Sequence, residues 1–270
     1  TSTNDGDVLE ERLKTILLQY PRLLVAYSGG VDSTYLAAVA HEALGQNAAM
    51  VLMDSPSLPR ADRDEAIAFA RECDWNFHIL TTHEFACAEF IENSKLRCYH
   101  CKRERLLELC QFAEVCGIDA IAHGENADDI LDTGRVGHRA AEEAGALAPL
   151  AEAGLTKAHI RMLSQRRGLP TWNKPSFACL ATRFPTGTPI EPEAMPRIEA
   201  AEIVLRTLGF RQYRARHHGE ICRIEVAEAE FARLFEGGCR ETIVADIKRA
   251  GYRYVTLDLM GYRLGGTGDA

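Results

Sequence analysis

The sequence predicts an α/β fold: a doubly wound parallel sheet followed by a smaller C-terminal α+β domain. Three observations carry that expectation. Through the first half, short apolar runs alternate with stretches whose apolar residues recur every three to four positions. A Ser-Gly-Gly turn lies between the first apolar run and the first such stretch. A proline-rich segment then separates this half from a shorter region of mixed helix and strand patterns.

In chain order, the opening TSTNDGDVLEERL is polar and acidic and reads as neither a signal nor a transit peptide. LLVAY (23–27), AAMVLM (48–53), FHIL (77–80) and AIAH (120–123) have the length and apolarity of buried strands. Between them, STYLAAVAHEAL (33–44), RADRDEAIAFAREC (60–73) and KRERLLELCQFAEVCG (102–117) have amphipathic helical spacing, with Gly45 and Gly117 where C-terminal caps belong. Helices of this length between strands imply βαβ units and a parallel sheet covered on both faces. A further helix, 156–168, opens on Thr156 as N-cap and ends in Gly168. The segment 170–196 contains six prolines and reads as an extended connection. Beyond it come a helix at about 193–208, strands within 210–218 and 221–227, a helical stretch at 240–250 and a strand at 253–259. The expected domains are 1–185 and 186–270, and the Gly-rich tail 265–268 is expected to be disordered.

Composition narrows the function classes. The 270 residues are 46% hydrophobic and 26% charged, enough for a core of ordinary soluble type. No apolar run approaches the roughly 20 residues of a membrane span, so no membrane partner is expected and the cytoplasm is the default location. The formal net charge of −8 argues against a dedicated nucleic-acid binder, which needs a basic face. Nine cysteines without a secretory leader suggest reduced thiols or metal ligands rather than disulfides. Cys73, Cys87, Cys110, Cys116, Cys222 and Cys239 sit among apolar neighbours and read as packing.

The strongest chemical signal is AYSGGVDST (26–34), placed between a strand and a helix. Ser28, Gly29 and Gly30 allow a tight turn whose N–H groups can surround an anion, and the helix start offers its positive end. Ser33 is expected as the N-cap. There is no GxxxxGK[ST], no lysine in the loop and no GxGxxG, which removes the Walker and dinucleotide readings. A simple capping turn accounts for the glycines but not for Ser, Gly, Gly, Asp and Ser together. The pattern resembles the SGGxDS loop of the PP-loop ATP pyrophosphatases. That resemblance implies cleavage of ATP between its α and β phosphates, adenylation of a substrate oxygen, and Mg²⁺ placed by Asp32 in lieu of a loop lysine. It brings Asp54 and Ser55, after the second strand, and Gly124 and Asn126, after the fourth, toward the nucleoside. Asp128, Asp129 and Asp132 stay open between a solvated acidic loop and a second Mg²⁺ contact.

RCYHCK (97–102) places Cys98 and Cys101 three apart, and Cys179 stands in the extended connection. Three thiolates suit a 4Fe–4S cluster with one iron left open. Zinc would need a histidine such as His100 or His123 as well, whereas a redox dithiol needs no third cysteine. Plain thiols also remain open.

Across most of the chain, SGGVDS, DSPSLPR, RCYHCK, GENADD, GLTKAHIRMLSQRRGLPTWNKPSFACLATRFPTGT and GYRYVTLDLMGYRLGG resemble the LarE family. The resemblance implies an ATP-dependent sulfur transferase. It would adenylate a carboxylate of pyridinium-3,5-biscarboxylic acid mononucleotide and convert it to a thiocarboxylate, releasing pyrophosphate and AMP. One branch of that family gives up the sulfur of its own cysteine, at the position of Ala178 here. The other holds a 4Fe–4S cluster on three cysteines and passes on sulfide, and Cys98, Cys101 and Cys179 match that branch. In RQYRARHH, Arg214 and Arg216 fall on one face of a strand, and two guanidiniums suit a phosphate. The resemblance assigns them the mononucleotide phosphate, with Arg183, Glu202 and Glu225 nearby; a solvated strand face is the plainer alternative. It also implies a sulfide source and a homo-oligomer, a hexamer in the family. Where the family reads DYRPG, this chain reads DTGRVG (132–137), which leaves Arg135 without an assigned role. A tRNA thiolase, an amidating NAD-synthetase-like enzyme and a catalytically inactive nucleotide sensor are the rival functions.

Overall fold

The computed structural model describes residues 3–131, 136–175 and 179–263. Asp132, Arg135, Ala178 and the tail 265–268 lie outside the described residues. In chain order the elements are α1 (Thr3–Leu17), β1 (Leu23–Tyr27), α2 (Val31–Leu44), β2 (Ala48–Asp54), α3 (Arg60–Glu72), β3 (Asn76–Thr81), α4 (Ala88–Ile91), α5 (Arg97–Cys116) and β4 (Ala120–His123). There follow α6 (Ala127–Leu131), α7 (Val136–Glu143), α8 (Pro149–Ala153), α9 (Lys157–Arg166), α10 (Met195–Thr207), β5 (Tyr213–His218), β6 (Ile221–Val226), α11 (Cys239–Arg249) and β7 (Tyr254–Leu257).

The chain divides into two compact units, 1–87 with 98–177, and 88–97 with 178–270. It therefore crosses between units three times, whereas the sequence suggested one boundary between 185 and 186.

The first unit is the expected α/β fold. Its four strands run parallel in the order β3-β2-β1-β4. Every residue of LLVAY except Ala26 is fully or nearly fully buried, because both faces of β1 are covered. Leu23, Val25 and Tyr27 enter one core with Leu13, Leu17 and Leu36, while Leu24 enters another with Leu106 and Leu109. The period of two thus sorts side chains to opposite sides. The chain lays β2 and β3 on one side of β1 and then β4 on the other, so the strand order reverses at β1. In sheets of this kind ligands bind at the carboxyl ends of the strands flanking that reversal.

One helix formed where the sequence raised no expectation, and another needed correction. The acidic N-terminus forms α1, whose Leu13, Ile16 and Leu17 are buried. α5 begins at Arg97 rather than 102, so Cys98 and Cys101 lie in its first turns, on neighbouring positions of one helix face. α9 follows its expected start: Thr156 accepts from the His159 N–H, and the His159 side chain completes the capping box.

The second unit is a three-stranded sheet, β5-β6-β7, with β5 and β6 antiparallel and β7 parallel to β6. Tyr213, Ala215, Cys222, Ile224 and Val226 form its core with Leu205 and Ile243 from the helices. Among the described residues, no helix is long and apolar enough to cross a membrane.

Candidate active site

Beyond Tyr27 the chain turns through Ser28, Gly29 and Gly30 into α2. Gly29 has φ +70°, and a Cβ there would lie 2.6 Å from that of Ala66, so both conformation and space require glycine. Gly30, not Ser33, is the N-cap, and no side chain caps it. Ser33 is the third helical residue. Its Oγ accepts from the Ser28 N–H at 3.2 Å and pairs with Ser28 Oγ at 2.9 Å, bracing the loop from within. Because no side chain caps the first turn, its N–H groups keep their capacity for an anion. At the end of β4, a Cβ on Gly124 would stand 2.9 Å from the Ser33 backbone nitrogen, so this glycine lets β4 approach the start of α2.

Ser28, Gly30, Asp32, Ser33, Gly124 and Asp129 line a cavity of about 260 Å³ at the carboxyl end of the sheet. A second, mainly apolar cavity of about 160 Å³ shares Ser28, Lys102 and His123 with it and is walled by Leu52, Met53, Leu58 and Leu106. One oxygen of Asp32 accepts from Lys157 Nζ at 2.5 Å. The other, Oδ1, is buried without a hydrogen-bond partner among the described residues. The loop lacks its own lysine, but α9 brings one to it.

Lys102, His123 and Glu125 complete the charged wall. Glu125 is buried, 3.1 Å from His138 Nδ1, 3.6 Å from His123 Nε2 and 3.8 Å from Lys102 Nζ. Burial alone would raise its pKa, but the close His138 imidazole and the nearby cations hold it below the usual carboxylate value. Burial, then the Lys102 charge, pushes the His123 imidazole down to about 4. Glu125 raises the His138 pKa.

The other expected nucleoside residues serve the protein itself. Asp54 receives Arg60 at 2.7 Å and Arg63 at 2.8 Å, and these guanidiniums lower its pKa against the effect of burial. The buried Ser55 hydroxyl bonds to Ser57 and Glu84. Asn126 Oδ1 accepts from the Asp128 N–H at 2.9 Å and caps α6, and Asp128 in turn accepts from the Lys157 N–H at 2.8 Å.

All nine cysteines are described and none forms a disulfide. Cys98 is exposed, and Cys101 and Cys179 are half-buried. Cys179 belongs to the second unit, where it is the N-cap of a turn of 3₁₀ helix, Leu180–Arg183. Among the described residues, no group of three His, Cys, Asp or Glu side chains is assembled to hold a metal ion.

That same turn carries the arginine cluster of the second unit. Arg183 is fully buried and grips Glu202 with two bonds, 2.7 and 2.9 Å, while Glu202 also accepts from the Ala215 N–H. Arg216 pairs with Glu225 at 2.8 and 2.9 Å and donates to the Thr182 carbonyl. Arg214 differs. It bonds to the Tyr213 carbonyl and the Tyr262 hydroxyl and lies 4.9 Å over the Tyr262 ring, and no carboxylate pairs with it among the described residues. Its cross-strand neighbour Glu225 is taken by Arg216 and Arg223. Burial and the Arg183 charge depress its pKa, the mark of an uncompensated guanidinium.

Comparison with known proteins decides the family. Residues 6–183 match the NAD synthase family. Over 258 residues, 95% of this chain and 92% of the relative, the chain is 34% identical to the pyridinium-3,5-bisthiocarboxylic acid mononucleotide synthase of Lactiplantibacillus plantarum. The chain belongs to the LarE family. It is also 39% identical, over 94% of its length and 95% of the relative's, to the uncharacterized protein slr1717 of Synechocystis sp.. A shorter match, 36% over 62 residues, joins it to the GMP synthase of Thermotoga maritima.

ATP and Mg²⁺ fit the LarE family, and the buried, unpartnered Asp32 oxygen at the cavity suits a cation. Of the residues that the PP-loop resemblance singled out, Ser28, Gly30, Asp32, Ser33 and Gly124 converge on one cavity. Arg183, Glu202, Arg214, Arg216 and Glu225 converge in the second unit. Sequence reasoning gave no role to Lys102, Glu125, His138 or Lys157. None of them carried a usable signal, since Lys157 for one meets Asp32 across 125 positions.

Proposed function

We propose that this chain is an ATP-dependent sulfur-inserting enzyme acting on pyridinium-3,5-biscarboxylic acid mononucleotide. One observation carries the reading: Lys102, the residue after Cys101, lines the cavity formed by the phosphate loop. The helix that bears the cysteine pair therefore opens onto the place where ATP would be cleaved.

Ser28, Gly29, Gly30 and Ser33 would hold the phosphates through backbone N–H groups and the start of α2. Asp32 would hold Mg²⁺, which supplies positive charge to the leaving pyrophosphate when bound. The apolar cavity, walled by Leu52, Met53 and Leu58, suits the adenine ring, and Asp54, Ser55, Gly124 and Asn126 would approach the nucleoside from the ends of β2 and β4. A substrate carboxylate attacks the α-phosphorus, pyrophosphate leaves, and a sulfide equivalent then displaces AMP from the acyl carbon. The thiols of Cys98, Cys101 and Cys179 are reduced and at least partly accessible, a donor set that fits a 4Fe–4S cluster with one iron free. Such a cluster supplies exchangeable sulfide when bound. Arg214 would bind the mononucleotide phosphate, with Arg216 and Arg183 held in place by Glu225 and Glu202. The same reading includes an external sulfide source, a cytoplasmic location and a homo-hexamer.

The test is anaerobic reconstitution with iron and sulfide, followed by assays for iron content, pyrophosphate and the thiocarboxylate product. Iron at cluster stoichiometry and substrate-dependent pyrophosphate release are expected. Cys179→Ala should bind ATP yet form no thiocarboxylate. Full turnover by Cys179→Ala, or an amide formed from ammonia in place of the thiocarboxylate, would overturn the reading.

A further inference from the structure

Among the described residues, the apolar cavity beside the phosphate loop has one charged group that the phosphate cavity does not share. Ser28, Lys102 and His123 line both cavities, whereas Arg105 lines only the apolar one, among Leu52, Met53 and Leu58. Arg105 follows Lys102 by three residues on α5, so the two stand on one helix face.

The Arg105 guanidinium is held by a closed ring of hydrogen bonds. Its Nη2 donates to Glu84 Oε1 at 2.9 Å and to Ser57 Oγ at 3.3 Å. Ser57 Oγ lies 2.8 Å from Ser55 Oγ, and the Ser55 hydroxyl donates to the same Glu84 oxygen. With the Ser55 proton committed to Glu84, the Ser57 hydroxyl is the donor in its pair with Ser55, and every bond in the ring runs toward the carboxylate. The turns after β2 and β3 thus meet α5 at Glu84, all within the first unit.

Glu84 is fully buried. Burial would raise its pKa, but the Arg105 charge and the bonds from Ser55 and Thr82 hold it below the usual carboxylate value. Well-packed apolar residues of similar volume would join these turns at least as firmly as a buried ion pair does. The ring is therefore better explained by the direction it gives the guanidinium than by stability. A guanidinium has five N–H donors and no acceptor. In a cavity walled by leucine and methionine it favours a ligand that offers an acceptor, and the adenine ring offers N1, N3 and N7.

We propose that Arg105 is a specificity-determining residue of the nucleotide site: oriented by Glu84, it donates to a ring nitrogen of the adenine in the apolar cavity. The proposal rests on the reading of these cavities as the ATP site, and binding measurements separate it from sulfur transfer.

The experiment titrates the full-length protein calorimetrically, with Mg²⁺ and without the carboxylate substrate. The ligands are ATP and its 1-deaza, 3-deaza and 7-deaza analogues, each with one ring nitrogen replaced by C–H. In the parent protein, one of the three analogues should bind about tenfold more weakly than ATP, the loss expected for a hydrogen bond to a charged group. Arg105→Lys keeps a charge for Glu84 but loses the planar fork. It should bind ATP about tenfold more weakly and no longer distinguish that analogue from ATP. Arg105→Met combined with Glu84→Met removes the pair without stranding a buried charge, and should show the same loss with its urea midpoint preserved. Equal ATP affinity in the parent and both variants, or no loss with any analogue, overturns the proposal and leaves the ATP site standing. Failure of the parent protein to bind ATP overturns both. Arg105-dependent ATP binding without thiocarboxylate formation overturns the sulfur-transfer reading alone.

Discussion

The loop cavity of the first unit and the arginine face of the second both collect positive charge, and they treat it in opposite ways. At the loop, charge is held in reserve. The backbone N–H groups at the start of α2 have no side-chain cap, and among the described residues only one of the two Asp32 oxygens is engaged. On the arginine face, Arg183 and Arg216 are buried and each is fully matched by a carboxylate, with Arg214 as the exception. A receptive site needs unspent capacity, whereas a scaffold needs its charges spent. The difference separates residues that would meet a ligand from residues that orient them.

The sharpest way to break this comparison is to remove one partner of an ion pair from each region. Glu202→Ala would leave Arg183 buried with no counter-ion and should cost about 3–5 kcal/mol of stability, read from the urea midpoint. The equivalent cut at the loop, Lys157→Met, should cost about 0–1 kcal/mol, because Lys157 is 34% exposed and its pair faces a cavity open to solvent. Equal losses would show that the loop is scaffold as well.

A smaller effect distinguishes the two arginines that look alike in the sequence. Arg214→Ala should weaken binding of the mononucleotide by roughly 1.5–3 kcal/mol, the range for a hydrogen bond to a charged group, and leave stability nearly unchanged. Arg216→Ala should mainly lower stability, since it strips Glu225 of its bidentate partner. Calorimetric titration with the mononucleotide, set beside denaturation curves, checks both. If Arg216→Ala harmed binding more than Arg214→Ala did, the assignment of the unmatched guanidinium would fall.

What the sequence made legible follows from the range of each interaction. The phosphate loop, its strand and its helix are contiguous, so SGGVDS announced them. β1 and β2 were legible because burial on both faces makes each a continuous apolar run, and the half-buried edge strand β3 by the short run FHIL. Pairing across long separations left no such trace. Nothing in the sequence distinguishes Arg214 from Arg216, because the carboxylate that decides between them lies on β6. Lys157 reaches Asp32 across 125 positions, and Asn93 reaches Thr188 across 95. Ser33 misled for the opposite reason: its local pattern fits an N-cap, but its hydroxyl folds back to Ser28 and leaves Gly30 at the cap.

The last prediction concerns the charged wall of the loop cavity, where His123 is buried and its pKa lies near 4. Its unfolded value is about 6.5, so between these values the unfolded chain binds a proton that the folded protein refuses. Stability must therefore rise with pH through that window and be lost as the pH falls. Acidification from pH 7 to pH 5 should remove about 2 kcal/mol through this group. His123→Gln should flatten that slope, measured by urea denaturation at each pH. The comparison sharpens here too. The second unit has depressed imidazoles of its own, His217 and His218, so only the part of the slope that His123→Gln removes belongs to the loop wall.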